Sequence, residues 1–470
     1  MTEVLKDIKK LHFVGIGGIG MSGIAKIMQG EGYIIQGSDV MESNNTFTLS
    51  SMGIKIFIGH EKENITNAEC LVVSSIILDD NVEVVEARKT GIPVLKRSEA
   101  LAYLMKNKTT ISISGSHGKT TTTSLVATLF ENSKIYPTVI NGGIINSKGT
   151  NAYFGKSKYL IAEADESDKT FLRIPSNIVV ITNIDMEHLD FYKIFDNILE
   201  SFTNFILNIP EEGFAVVCLD CVNCIKILDK ISTRKIITYS CINSNANIFA
   251  FNIKCDYEKS VFDVKINLPG ENKKEIVENV IISIPGEHNV LNSLAAIAVG
   301  SELNFDNYFI KTAFENFKGV KRRFTKVGEY NGAVIIDDYA HHPTEIKSVI
   351  NTAKLFTSKN NSKIIIFYQP RGFFGFECLY EKYLTAFCDV DYLFMLPITT
   401  WSLKKRIENL RFSSENFVRE ILHPNAFYIE TVDEIEKTIK LHAKKSDVVL
   451  FLGTGMISKI CESVFEKLNS

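Results

Sequence analysis

The sequence predicts a three-unit α/β protein, and three observations carry that prediction. Its 470 residues are long enough for about three units at roughly 150 residues each. Short β-branched runs alternate with helix-compatible segments, the signature of parallel sheets flanked by helices. Two of the strand-to-helix junctions carry glycine turns of the kind that cradle phosphates. The expected units are residues 1–107, 108–318 and 319–470.

Composition narrows the function classes. Charged residues make up 23%, hydrophobic ones 45%, and the formal net charge is -3. That is too apolar for a disordered chain and too near neutral for a nucleic-acid or membrane-surface protein. No run approaches the ~18 uninterrupted apolar residues of a membrane helix. Met1 to Lys10 mixes acids with lysines, unlike a secretory signal, so a cytoplasmic location is expected. Nothing in the composition fixes an oligomeric state. The nine cysteines then read as free thiols. Cys218, Cys221 and Cys224 have the spacing of iron–sulfur ligands, but the fourth position is Leu228 and no histidine is near, so structural thiols are expected.

In the first unit, Leu11 to Gly15 reads as a buried strand, and Gly15-Ile-Gly17-Gly18-Ile-Gly20 matches G-x-G-x-x-G before a helix over Ser22 to Met28. A second strand, Tyr33 to Gly37, leads to Asp39, nineteen residues after Gly20 and at the spacing of a ribose-binding carboxylate. The unit is therefore Rossmann-like with a diphosphate-binding turn. A nicotinamide dinucleotide is one ligand of such a turn, which leaves an oxidoreductase reading open here. Further strands are expected at 55–58, 70–75 and 92–95, with helices near 80–90 and 98–106. Ser74 and Ser75 end a strand at the edge where open parallel sheets bind ligands, or act as simple caps.

The second unit holds the strongest motif. Strand Thr109 to Ser114 runs into Gly115-Ser116-His117-Gly118-Lys119-Thr120-Thr121, and a helix follows through Phe130. Backbone N–H groups of such a turn favour a phosphate, Lys119 supplies a cation, and Thr120 a hydroxyl for Mg²⁺. The usual longer form has a glycine where this chain has Ile113. Strands 159–165 and 178–184 end in the acidic runs Glu163 to Asp168 and Thr182 to Asp190. Acids placed there are natural Mg²⁺ anchors, although acids in loops are also common as surface charge. Residues 247–284 alternate as an antiparallel ribbon on a mixed sheet. Asn289 and Asn292 share one face of the helix opened by Gly286, as caps or as amides reading a base.

The third unit begins with the basic linker Gly319-Val-Lys-Arg-Arg-Phe324. Val334 to Pro343 is a strand entering a polar turn. Strands at 363–369, 391–397, 426–430 and 448–453, with helices between them, predict a second, Rossmann-like doubly wound sheet. Gly453-Thr-Gly455 marks a close turn into a last helix, and Lys404-Lys-Arg406 reads as a solvated face.

His12 to Ile24, Gly115 to Thr123, Glu163-Ala-Asp-Glu-Ser-Asp168, Thr182 to His188, Gly286 to Asn292 and Asp337-Asp-Tyr-Ala-His-His-Pro-Thr-Glu345 together resemble the Mur ligases of peptidoglycan synthesis, densely from about residue 10 to 371. The resemblance implies a UDP-sugar unit, a central ATPase and an amino-acid unit. It implies that ATP phosphorylates the lactyl carboxylate of UDP-N-acetylmuramate and that the amine of L-alanine attacks the acyl phosphate. It also assigns roles. Lys119 neutralises the transferring phosphate, Thr120 and Glu163 hold one Mg²⁺, and His188 with Glu163 a second. Asn289 and Asn292 line the adenine side, and Arg323 reaches the γ-phosphate. Asp338, Tyr339, His341 and His342 lie where the amino acid meets the closed cleft, and Gly15 to Gly20, Asp39, Ser74 and Ser75 serve the UDP-sugar. One stretch departs: Gln369-Pro-Arg-Gly-Phe-Phe-Gly-Phe376 replaces an expected Gln-Pro-His-Arg, and Arg371 is left to meet the amino acid. Pro397-Ile-Thr-Thr-Trp401 stands where a Gly-Glu loop is expected. A relative adding a tripeptide to the same UDP-sugar is the alternative.

Overall fold

The computed structural model describes residues 5–167, 169–270, 274–357, 362–399 and 412–469. Asp168, Thr400, Trp401 and Lys404-Lys-Arg406 lie outside the described residues. The described residues form three sheets in sequence order.

The first sheet contains β1 (Lys10–Val14), β2 (Ile34–Asp39), β3 (Lys55–Ile58), β4 (Cys70–Val73) and β5 (Val94–Lys96), all parallel, in the order β3-β2-β1-β4-β5. The order reverses between β1 and β4. A crevice therefore opens outside their carboxyl ends, where Gly15 to Gly20 and Ser74-Ser75 follow the strands. The Rossmann-like expectation holds.

The second sheet has ten strands: β6 (Thr109–Ser114), β7 (Thr138–Ile145), β8 (Thr150–Tyr153), β9 (Tyr159–Glu163), β10 (Ile178–Ile181), β11 (Phe214–Cys218), β12 (Lys235–Ser240), β13 (Ile248–Cys255), β14 (Ser260–Ile266) and β15 (Glu275–Ile282). β6 lies between β10 and β9, parallel to both. The phosphate loop and both acidic runs therefore emerge side by side. β13 to β15 form the antiparallel ribbon read from alternation. β7 and β8 escape that reading, because Asn141-Gly142-Gly143 interrupts the apolar run with weak strand formers. The acidic runs leave the sheet at Glu163 and Ile181, earlier than the expected 165 and 184.

The third sheet contains β16 (Thr325–Tyr330), β17 (Ala333–Asp338), β18 (Ile364–Gln369), β19 (Tyr392–Met395), β20 (Ala426–Tyr428) and β21 (Val448–Gly453), ordered β16-β17-β21-β18-β19-β20. Among the described strands of this sheet only β16 is antiparallel to its neighbour, and its polar sequence hides it as an edge strand.

Side chains join the sheets. Helix Ile19–Gly30 packs on β7 and β8, where a Cβ on Gly23 would stand 3.1 Å from Asn151 Nδ2. Buried Lys26 Nζ donates to Thr150 Oγ1 at 3.0 Å and Asn151 Oδ1 at 3.2 Å, and Asn151 returns a bond to Ile19 O at 2.8 Å. Lys321 N donates to Ile144 O at 2.9 Å, which anchors the third unit to the second.

Candidate functional site

The phosphate loop is built by backbone constraint first. Gly118 caps helix Lys119–Asn132 at φ 82, and a Cβ there would stand 2.5 Å from Asn292 Oδ1. Four threonines and a serine open that helix buried; Thr123 and Ser124 bond back to Lys119 O and Thr120 O, and Thr122 Oγ1 donates to Asn292 Oδ1 at 3.2 Å. Their hydroxyls are thus satisfied inside the helix pair, which explains poor helix formers at this place. The run after β10 supports the loop. Asn183 Oδ1 accepts from His117 N at 2.8 Å, Thr182 Oγ1 donates to His117 O at 2.6 Å, and Ser116 Oγ accepts from Asp185 N at 2.8 Å.

Lys119 Nζ donates to Gly115 O at 2.5 Å, to Ser116 O at 3.1 Å and to Glu166 Oε1 at 2.8 Å. Burial opposes its charge, but Glu166, Glu187, Glu163 and Asp165 outweigh burial and raise its pKa. Glu163 Oε2 accepts from Gly142 N at 2.8 Å and a carboxyl oxygen meets the Thr120 hydroxyl. Burial raises Glu163 despite Lys119 nearby. His188 groups instead with Glu166 and Glu187, their ligand atoms within 4.8 Å of one another. Glu166 Oε2 is buried with no hydrogen-bond partner. Thr120 and Glu163 are thus brought together, and His188 joins a neighbouring pair of carboxylates.

Two cavities meet at this loop. One, of about 410 Å³, is lined by His117, Gly118, Thr121, Asn289, Asn292, Arg323 and Asp338, with Ile284, Pro285 and Leu291 as an apolar wall. Asn289 Nδ2 is engaged by Pro285 O at 2.7 Å, and Asn292 Nδ2 by Asn289 Oδ1 at 3.3 Å. The other, of about 490 Å³, draws on all three sheets: Gly20 and Arg97, then Ser116, Lys119, Thr120, Glu163 and His188, then Arg323, Tyr339, His341 and Arg371.

Gly15, Gly17, Gly18, Asp39, Ser74 and Ser75 lie outside both cavities, around the first-sheet crevice. Asp39 Oδ2 accepts from Gly17 N at 2.8 Å and so braces the glycine turn. Gly15, at φ 78, would bring a Cβ to 3.1 Å from Ser74 Cβ, so the two loops touch.

The third unit closes the site with charge. His117 reaches Asp185 at 3.3 Å and Glu345 at 3.3 Å, and its ring lies 4.7 Å from that of His342. Burial lowers the His117 pKa, yet the two carboxylates win and raise it to about 10. Burial and that cation lower His342 to about 4. Arg323 stands 3.7 Å from Glu345 and 5.2 Å over the Tyr339 ring. Asp338 accepts from Phe324 N and Ala340 N, both at 2.6 Å, and burial raises it to about 6. His341 Nδ1 stands 3.2 Å from Glu345, while its carbonyl accepts from Tyr383 OH at 2.5 Å and Tyr368 OH at 3.0 Å. Arg371 pairs backbone to backbone with Thr399 at the cavity rim.

Sequence reasoning passed over Glu166, Glu187, Asp185, Glu345 and Arg97. The four acids stood inside the quoted runs, where nothing in a loop's spacing says which carboxylate faces Lys119 and which faces His117. Arg97 opens helix Arg97–Met105 outside any motif, and it faces Asp165 at 4.0 Å.

Comparison with known proteins fits this arrangement part by part. Residues 10–109 match "Mur ligase family, catalytic domain", 113–300 match "Mur ligase middle domain" and 322–455 match "Mur ligase, glutamate ligase domain". The chain is 49% identical to the UDP-N-acetylmuramate–L-alanine ligase of Rickettsia canadensis, over 100% of this chain and 99% of the relative. It is 50% identical to that of Rickettsia typhi, over 100% and 95%. The crystal structure of the UDP-N-acetylmuramate-alanine ligase of Thermotoga maritima superposes with a TM-score of 0.79 at 28% identity, covering 98% of this chain and 99% of that one. With a phosphate loop between two acidic strand ends, and family matches running through all three sheets, the chain belongs to the Mur ligase family.

Proposed function

We propose that this family member is the ATP-dependent ligase that joins L-alanine to the lactyl carboxylate of UDP-N-acetylmuramate, a step of peptidoglycan precursor synthesis in the cytoplasm. The observation that carries the reading is Lys119, which stands where a nucleotide-sized cavity meets a second cavity reaching from the glycine helix to Arg371. The first unit, residues 1–107, takes the UDP-sugar; residues 108–318 take ATP; residues 319–470 take the amino acid.

Phosphoryl transfer of this kind rests on positioning and charge neutralisation. Lys119 and Arg323 flank the transferring phosphate from opposite units. Mg²⁺ would be held by the Thr120 hydroxyl with the Glu163 carboxylate, and by the carboxylates of Glu166 and Glu187 with the His188 imidazole, where Glu166 Oε2 has no partner of its own. When bound, it offsets phosphate charge. Asn289, Asn292, His117 and Asp338 line the ATP side. Tyr339, His341 and Arg371 face the acyl phosphate from the amino-acid side, and His342 holds the third unit on the loop through His117. Gly15, Gly17, Gly18, Gly20, Asp39, Ser74 and Ser75 hold the nucleotide end of the sugar substrate. A nicotinamide reading of the glycine turn leaves Lys119 and its carboxylates without a job.

Phosphate release should require ATP, UDP-N-acetylmuramate and L-alanine together, and Lys119→Ala should abolish it while the circular dichroism spectrum stays that of the parent. Near-normal turnover in that variant rejects the assignment. A panel including the tripeptide in place of L-alanine separates the two ligase readings.

A further inference from the structure

The linker between the second and third units carries two adjacent arginines, and the site described above uses only Arg323. Lys321 N–H is still fastened to the central sheet through Ile144 O, whereas Phe324 N–H already donates to Asp338 Oδ2 of the third unit at 2.6 Å. The chain passes from one unit to the other between these bonds. Arg322 at φ 64 and Phe324 at φ 48 both sit in the left-handed region, which side chains other than glycine rarely adopt. Such backbone persists only where its surroundings over-determine it. Arg323, between them, takes its direction from both, and it lines the two cavities where they meet.

The contacts of Arg322 supply that constraint. Its carbonyl accepts from Tyr339 N at 2.9 Å. Its guanidinium donates from Nη2 to Gly453 O at 2.6 Å, reaches Thr454 O from Nη1 at 3.5 Å, faces Asp337 Oδ2 at 3.7 Å and lies 4.8 Å over the Tyr339 ring. The turn it grips has little room to shift. A Cβ on Gly453, at φ 138, would stand 2.5 Å from Gln369 O, and one on Gly455 2.9 Å from Thr399 Oγ1. Asp337 is tied in turn to Ser458 of helix Ile457–Leu468 at 2.5 Å. A planar fork can meet two carbonyls, a carboxylate and an aromatic face together, which a lysine ammonium cannot. Arg323 lies 5.2 Å over the same Tyr339 ring. Arg322 therefore fixes both the backbone that precedes Arg323 and the ring on which Arg323 rests.

We propose that Arg322 is a positioning residue: by clamping the linker to the Gly453–Thr454 turn, it aims Arg323 at the transferring phosphate. The role rests on the reading of this chain as an ATP-dependent ligase in which Arg323 meets that phosphate. Arg322 directs its Nη donors to carbonyls of the third unit, so its loss acts on the rate through a misplaced Arg323 and leaves the hold on the UDP-sugar as it was. Arg323 in its turn depends on the clamp, because nothing in its own peptide favours the left-handed backbone on either side of it.

The test measures steady-state phosphate release by the full chain from ATP, UDP-N-acetylmuramate and L-alanine. Arg322→Gly accepts φ 64 without strain but has no clamp, and Arg322→Lys keeps the charge and stem but not the fork. Each should lower kcat on the order of 100-fold, the scale of a catalytic group displaced by about 1 Å, with KM for the UDP-sugar unchanged. In an Arg323→Lys background, adding Arg322→Gly should lower kcat no further, since two residues acting as one unit are not additive. Losses that multiply in the double variant overturn the proposal, and so does Arg322→Lys turning over like the parent. A rise in KM for the UDP-sugar at unchanged kcat makes Arg322 a substrate contact and overturns it as well. If the parent chain releases no phosphate from the three substrates, the ligase reading falls instead. The crystal structure of Arg322→Gly then judges the positioning role: Arg323 displaced from Glu345 and from the Tyr339 ring supports it, and Arg323 in its parent place overturns it.

Discussion

Glu166 and Glu163 stand three positions apart in one loop, yet they do different work. Glu166 ion-pairs with Lys119 at 2.8 Å and leaves its second oxygen unpartnered beside Glu187 and His188. Glu163 is committed to Gly142 N–H and to the Thr120 hydroxyl. Glu166→Gln keeps the shape and removes the charge, so it should raise the Mg²⁺ concentration for half-maximal phosphate release on the order of 10–100-fold, the range for disturbed metal surroundings. A Mg²⁺ titration that superposes on the parent's removes Glu166 from the metal site. The residue scale is also where the sequence was least legible. The acidic run was readable as a metal anchor, but β9 ends at Glu163, and beyond a strand end no periodicity tells which side chain turns inward.

At the scale of elements, legibility was high, for a physical reason. Parallel strands buried on both faces are apolar for most of their length, so β10, β18 and β21 stand out as near-continuous runs, while β1 and β6, which bury His12, Ser112 and Ser114 among their apolar residues, are legible with the help of the glycine turns that follow them. Edge strands such as β16 and glycine-interrupted ones such as β7 lack that signal. The segment after β18 illustrates the remaining gap. Phe376, at the end of the departing segment, forms an aromatic cluster with Tyr380 and Tyr383, and Tyr383 reaches back to hold the His341 carbonyl. Tertiary packing decides that role, and no local pattern announces it. The phosphate loop gives the prediction proper to this scale. Gly118→Ala puts a side chain at φ 82, a strain of roughly 1–2 kcal/mol, and drives a Cβ into Asn292 on the neighbouring helix. Moving that helix from its place should cost about ten-fold or more in ATP affinity. Gly149→Ala, at φ 64 with open space around it, carries the strain without the clash and should leave ATP affinity unchanged. Equal losses in the two variants would mean that strain alone, and not the Asn292 contact, sets affinity.

Across the whole molecule, the third sheet is held on the second through His117. Its imidazole stands between Asp185 of the central unit and Glu345 of the third, and Thr344 Oγ1 donates to the same Asp185 at 2.7 Å. Because the folded protein raises His117 from 6.5 to about 10, it binds that proton more tightly than the unfolded chain does. The resulting stabilisation is complete below pH 6.5 and is lost as pH rises through about 10. The partners titrate elsewhere: Asp185 and Glu345 are both lowered, against burial, by the histidines around them, and His342 falls to about 4. The urea midpoint of the full chain should therefore fall between pH 6.5 and 10 more steeply than that of His117→Gln, which keeps a polar side chain but cannot titrate. Since Asp185 and Glu345 remain buried without their cation, His117→Gln should also be the less stable protein at pH 6.5, and the two midpoints should converge toward pH 10. Parallel midpoint curves over that window would show that the charge on His117 does not hold the units together, and the closing contact would then fall to Thr344 and the backbone bond between Lys321 and Ile144.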